Sequence, residues 1–116
     1  MQAESVRASC TSGGRDVFVA VVDGRPVGFA AVVLDAVHDG MGVVDVIAVD
    51  PSYQREGIAR QLMEHSADHM RAHGMDIAAV ETGGDEGHAP ARALYESLGY
   101  TPLPVMRYLN PLERPA

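Results

Sequence analysis

The stretch DPSYQREGIARQLM, Asp50 to Met63, decides how this chain is read. Ahead of it runs VVDVIAVD, Val43 to Asp50, whose nearly continuous apolar character suits a central strand. Pro51 ends that strand. From Gly57 the period changes: Ile58, Ala59, Leu62, Met63, Ser66 and Met70 fall on one side of a helix, and Glu64, Asp68 and Arg71 on the other. The segment is therefore a strand, a turn and a helix, with Glu56, Gly57, Ile58, Ala59 and Arg60 expected in the first helical turn. The first amide N–H groups of a helix have no internal partner, and the helix dipole adds partial positive charge there. A glycine admits close approach to the backbone, and a small residue two places on keeps the wall low. Such a turn suits phosphate or pyrophosphate, with Arg55 or Arg60 adding charge-assisted bonds. An ordinary helix start with a neighbouring glycine is the alternative. The stretch contains neither a Gly-Lys-Ser/Thr loop nor a GxGxxG fingerprint.

Working outward, DVFVAVV (Asp16 to Val22) reads as a strand, DGRP as a tight turn and VGFAAVVLD (Val27 to Asp35) as the returning strand. Asp39, Gly40 and Gly42 mark another turn. Gly74 is placed to stop the long helix, DIAAVETGG (Asp76 to Gly84) reads as a strand, and Pro90 opens a second helix, PARALYESL, closed by Gly99. The tail YTPLPVMRYL reads as two short strand pieces. The order β-β-β-α-β-α-β makes an α/β chain with a mixed sheet, its strand-helix-strand unit parallel through a right-handed crossover. At 116 residues one domain is expected, spanning 1–116, with residues 1–16 loosely ordered.

The formal net charge of −7 argues against general nucleic-acid binding. The longest apolar run, Val27 to Leu34, is too short to cross a bilayer, and the first residues lack a signal-peptide core. With Cys10 as the single cysteine, no intrachain disulfide forms. A soluble, cytoplasmic protein is the expectation. His65, His69 and His73 stand at helical spacing, but no further ligand completes a metal set by spacing, so no metal is expected.

VIAVDPSYQREGIARQLM resembles the acetyl-CoA binding segment of the GCN5-related N-acetyltransferases (GNAT): a strand ending in Val, a Pro, then Gln/Arg-x-x-Gly-x-Gly/Ala, met here by Gln54, Gly57 and Ala59. ARALYESLGY resembles the family's later helix, through Ala91, Leu94, Tyr95, Gly99 and Tyr100. The resemblance covers roughly residues 17–109 and implies the GNAT fold.

It also implies a mechanism. Acetyl-CoA is the co-substrate, and a primary amine of a small molecule attacks the thioester directly, without a covalent enzyme intermediate. Ile47, Ala48 and Val49 would offer backbone groups to the pantetheine arm, and the N–H groups from Arg55 to Arg60 would hold the pyrophosphate. Gln54, His88 and Arg92 join the implied cofactor-binding set; His88 stands where the family often carries Asn, and Arg92 faces either the CoA phosphates or solvent. Tyr95 would be the general acid for the leaving thiolate. Asp45, a carboxylate inside an apolar strand, is a candidate base if part-buried, and Glu81 is its rival. The family usually begins with a further strand and helices, so a shortened member or a truncated form is expected. Its strand Val17 to Val22 would be an exposed edge, covered by a homodimer, a partner chain or a swapped segment. A catalytically degenerate acyl-CoA-binding or regulatory module is the competing reading, and a different phosphate binder the third.

Overall fold

The computed structural model describes residues 5–12 and 14–113. They form two compact units, Met1–Glu81 and Thr82–Ala116. The first holds strands β1 (Ser5–Ser12), β2 (Arg15–Val22), β3 (Arg25–Val33), β4 (Met41–Val49) and β5 (Ile77–Val80), with helix α1 (Ile58–Ala72) between β4 and β5. The sheet runs in chain order, β1-β2-β3-β4-β5. The first three pairings are antiparallel; β4 and β5 are parallel, as a helical crossover requires.

Local chemistry sets these elements. Asp23 and Gly24 both take positive φ, 50° and 73°, which gives the β2–β3 hairpin the twist of a two-residue turn. The pairing shifts from Ala20 with Gly28 to Val21 with Pro26, so β3 bulges next to a proline that has no N–H to donate. At the far end of α1, Gly74 (φ 79°) turns the chain out of the helix, and the Met75 N–H caps the Met70 carbonyl at 3.0 Å.

The expected apolar face of α1 is buried at Ile58, Leu62, Met63, Ser66 and Met70, and half-buried at Ala59. Ser66 is tolerated there because its hydroxyl donates to the Leu62 carbonyl at 2.7 Å. The helix lies on β2, β3 and β4, whose Phe18, Ala20, Ala30, Val32 and Val44 complete the core. Glycines allow the close seat: a Cβ on Gly42 would stand 2.7 Å from the Met70 side chain, and one on Gly28 2.9 Å from the Ala48 carbonyl. Leu62 is fully buried, so Leu62→Ala is expected to cost about 3 kcal/mol in urea unfolding. A cost below about 1 kcal/mol would mean that the helix seat is loosely filled.

Three sequence expectations are corrected in this part of the fold. Residues 5–12 are not loosely ordered; they form β1, pairing with β2 from Ser5–Val21 to Ser12–Arg15 (residues 1–4 and 13 lie outside the described residues). Polar, small residues sufficed because an edge strand is held by its backbone ladder. Consequently β2 is not a free edge, and the reason for a dimer there falls away. Glu56 and Gly57 are not in the first helical turn; α1 starts at Ile58, with Gly57 as its N-cap.

The second unit contains a short 3-10 turn, Glu86–His88, and helix α2 (Ala89–Ser97). Gly99 (φ 95°) ends the helix, and the Tyr100 N–H bonds the Tyr95 carbonyl at 3.0 Å. The tail expected as two strand pieces is not one: residues 101–113 have no regular structure, and Pro102 and Pro104 withhold two N–H groups.

Candidate acyl-donor site

The pairing of β4 with β5 covers Met41–Val44 against Ile77–Val80 and stops there. On the other side, the register to β3 shifts between Val32–Val44 and Ala31–Val46, leaving Asp45 as the extra residue of a bulge. Beyond it β4 runs on to Val49 paired to β3, and no other strand pairs with it among the described residues. Ile47, Ala48 and Val49 therefore lie on a segment whose outer edge lacks a strand partner.

That segment runs directly into the turn. Asp50 accepts the Ser52 N–H at 2.8 Å and starts a 3-10 turn over Pro51–Tyr53. The Gln54 side-chain amide donates to the Val49 carbonyl at 3.2 Å, tying the turn back to the strand. Arg55 and Gly57 both take left-handed backbone, φ 66° and 83°. For Arg55 this is a strained conformation of the kind that clusters at ligand sites. The first helical bond of α1 runs from the Gln61 N–H to the Gly57 carbonyl at 3.1 Å. The amides of Ile58, Ala59 and Arg60 precede it, and no side chain caps the helix. A Cβ at Gly57 would meet nothing within 4 Å, so space is open at that position. α1 has no acidic residue in its first turn. Glu56, just before it, has one buried carboxylate oxygen, Oε2, without a hydrogen-bond partner. Its side chain opposes an anion, so only its backbone suits the cradle.

The two candidate bases differ. Asp45 lies at the surface, its side chain 35% exposed, and is ion-paired with Arg15 at 2.5 Å. The bulge explains a carboxylate in this apolar strand, because the extra residue need not point into the core. Glu81 follows β5 directly, exposed and without a side-chain partner among the described residues.

In the second unit, Tyr95 lies on α2 and is 9% exposed, its ring centroid 6.3 Å from that of Tyr100. Burial, and secondarily Tyr100, push its hydroxyl above the ordinary tyrosine value. Leu94 and Leu98 share its sequence pattern, but Tyr95 is the buried residue of this helix. His88 is anchored through Nδ1 to Asp85 at 2.6 Å, and that bond is the main reason the Asp85 carboxyl lies below its usual range. Arg92 Nη1 donates to the carbonyls of Gly83 at 2.7 Å and Asp85 at 2.6 Å, holding the glycine loop.

The histidine stripe packs against the sheet. The rings of His65 and His69 meet Phe18 edge-on, and His69 Nε2 bonds Asp16 at 2.8 Å. Among the described residues no group of three or more His, Cys, Asp or Glu is placed to hold a metal ion. Sequence reasoning missed the Arg15–Asp45 and Asp16–His69 pairs, which join residues far apart in the chain and carry no spacing signal.

A mixed sheet whose parallel pair parts at a bulge, with one strand running into a turn that no side chain caps, makes an α/β fold with a backbone-lined turn of the kind that suits an anion. The chain belongs to the GNAT acetyltransferase family: residues 13–102 match the model described as "Acetyltransferase (GNAT) domain". It is 41% identical over 86 residues to the mycothiol acetyltransferase of Thermomonospora curvata, covering 73% of this chain and 27% of that protein. It is 42% identical over 65 residues to the [ribosomal protein bS18]-alanine N-acetyltransferase of Escherichia coli K12, covering 56% and 43%. The chain thus spans less than half the length of these relatives. Among solved structures, an aminoglycoside acetyltransferase from an uncultured soil metagenomic sample superposes with a TM-score of 0.75 at 25% identity. That superposition covers 88% of this chain and 68% of the other.

Proposed function

We propose that this protein is an acetyl-CoA-dependent N-acetyltransferase that acetylates a primary amine of a small molecule. The observation that carries the reading is the open turn at Gly57: uncapped amides at the start of α1, joined to the unpartnered end of β4. The residues fit the co-substrate. The N–H groups between Arg55 and Arg60 would take the pyrophosphate, and the backbone of Ile47–Val49 the amide-bearing pantetheine arm. A backbone N–H near Val49 would polarise the thioester carbonyl. Gln54 would act by fixing the turn rather than by touching the ligand, and Arg92 by fixing the loop before α2. His88, with Nδ1 held by Asp85, would turn Nε2 to the CoA arm.

In the reaction the neutral amine attacks the thioester carbon. A C–N bond forms, the C–S bond breaks, and the thiolate takes the proton of the Tyr95 hydroxyl. The amine's proton passes to a carboxylate or to water. Glu81 replaces Asp45 as the favoured base, because the Asp45 carboxylate is engaged by Arg15. Glu81→Gln is expected to lower kcat/KM about tenfold, and Asp45→Asn to change it much less. The reverse ranking in steady-state assays would return the role to Asp45.

The family model spans both compact units, which supports a single acetyltransferase domain. No helix among the described residues is long and apolar enough to cross a membrane. With the single cysteine, that supports a cytoplasmic setting. The acceptor reading draws on the acidic net charge of −7, suited to a cationic amine, and on relatives named for small molecules. The bS18-alanine relative makes a protein N-terminus the competing acceptor. The test is calorimetric titration with acetyl-CoA, followed by assays against both acceptor classes. Saturation near one site per chain is expected. No heat at millimolar ligand would overturn the reading, and competition by ATP as strong as by CoA would replace it with a general phosphate site.

A further inference from the structure

Three charged residues of the first unit come together where β4 and β5 part, and the reaction written above uses one of them. Arg15 and Asp45 reach each other across β3: the Arg15 Nε–H donates to Asp45 Oδ2 at 2.5 Å. Alternation fixes their side of the sheet. Asp16 and Phe18 meet His69 and His65 of α1, so Arg15 faces the opposite surface, and Asp45 with it. Glu81 comes to the same place from β5. The parallel register ends at Val44 with Val80, so the position that follows opposite Asp45 is Glu81, one strand spacing or about 5 Å away. Val44 is buried against α1, and paired residues of neighbouring strands share a face, so one step on Glu81 takes the face of Asp45.

The ion pair occupies only part of each group. It takes Nε and one carboxylate oxygen; among the described residues the two Nη groups of Arg15 have no partner, and its side chain is 51% exposed. A guanidinium fixed at Nε offers its Nη pair as a fork to a second planar anion. We propose that this fork binds a carboxylate carried by the acceptor, so that the acceptor is an amino acid, its amine one or two carbons from that carboxylate. This assignment rests on the acetyl-transfer reading above and names the acceptor within it. Asp45 stands two residues before Ile47, where the open donor edge of β4 begins, so an amine beside Glu81 lies next to the path of the thioester. Asp45 is then a positioning residue that holds the guanidinium, while Glu81 takes the ammonium and afterwards its proton. Two carboxylates against one guanidinium keep the cluster net negative, which favours an ammonium at the reacting end. A doubly charged anion such as phosphate is opposed by both carboxylates; a singly charged carboxylate joined to an ammonium is not.

Steady-state transfer from acetyl-CoA to matched acceptors tests this: a panel of L-amino acids, the corresponding amino-acid amides, and a short peptide amide. The unaltered chain is expected to use at least one amino acid about 100-fold better in kcat/KM than its amide, mainly through KM. Arg15→Gln is expected to erase that ratio by lowering the amino-acid value to the amide level, with the amide value unmoved. Arg15→Lys keeps the charge without the fork and is expected to recover part of the ratio. A purely structural role for Arg15 would shift acid and amide alike. Calorimetry with acetyl-CoA on Arg15→Gln is expected to match the unaltered chain, which reads the fold and the donor site separately. Equal use of acid and amide overturns the assignment and leaves the N-acetyltransferase reading in place. So does a peptide amide used better than any amino acid, or a ratio that survives Arg15→Gln. Failure of the unaltered chain to bind acetyl-CoA sinks the acetyl-transfer reading itself, and this assignment with it.

Discussion

Tyr95→Phe is expected to lower kcat about 100-fold while leaving acetyl-CoA affinity and fold unchanged. The substitution removes one oxygen and keeps the ring, so the packing of a 9% exposed side chain is preserved. On the proposed mechanism, what is lost is the proton for the departing thiolate. The ionisation behaviour fits that task. Burial holds the hydroxyl protonated above the ordinary tyrosine value, so it is a competent donor throughout the neutral range. The sign for stability follows. A raised folded-state pKa means that the unfolded chain releases this proton first. The protonated hydroxyl's share of stability is complete below the ordinary tyrosine value near 10 and is lost as pH rises through the higher folded value. The parent enzyme should therefore lose activity on the alkaline side above about pH 10, and Tyr95→Phe should lack that limb. If kcat is unchanged, Tyr95 is a packing residue and water protonates the thiolate.

Gly57→Val is expected to weaken acetyl-CoA binding about 100-fold in calorimetry. Two effects add. At φ 83° a β-branched residue is strained by roughly 1–2 kcal/mol, which pulls the turn away from its amide-presenting form. The new side chain also projects into space that is open within 4 Å of the Cβ position, where the phosphates would approach. Gly57→Ala separates them, since it keeps most of the strain and little of the bulk. An alanine variant that binds normally beside a valine variant that does not would assign the loss to obstruction. Normal binding by both would remove the turn from the donor site and leave the uncapped α1 terminus an ordinary helix start.

The sequence alone determined what depends on neighbours in the chain. The period change at Gly57 announced α1 and its buried face, because helical faces are set by local spacing. Asp23-Gly24 announced the hairpin, because positive φ is a property of those residues. The Gln54–Ala59 pattern announced the turn, and through resemblance the family, for the same reason: a backbone site is written in glycines and caps. Tertiary structure decided everything that depends on residues far apart. β1 was hidden, since an edge strand needs a ladder partner rather than an apolar pattern. Asp45 looked out of place in an apolar strand until the bulge turned it outward to Arg15. Arg92 was committed to two loop carbonyls that no spacing rule foretells. The tail read as strand because its residues favour extended backbone, but a strand exists only where another strand accepts its hydrogen bonds. Local conformational preference is additive along the chain and legible in it. Pairing, burial and ion contacts are set by which distant segments meet, and only the folded chain fixes that.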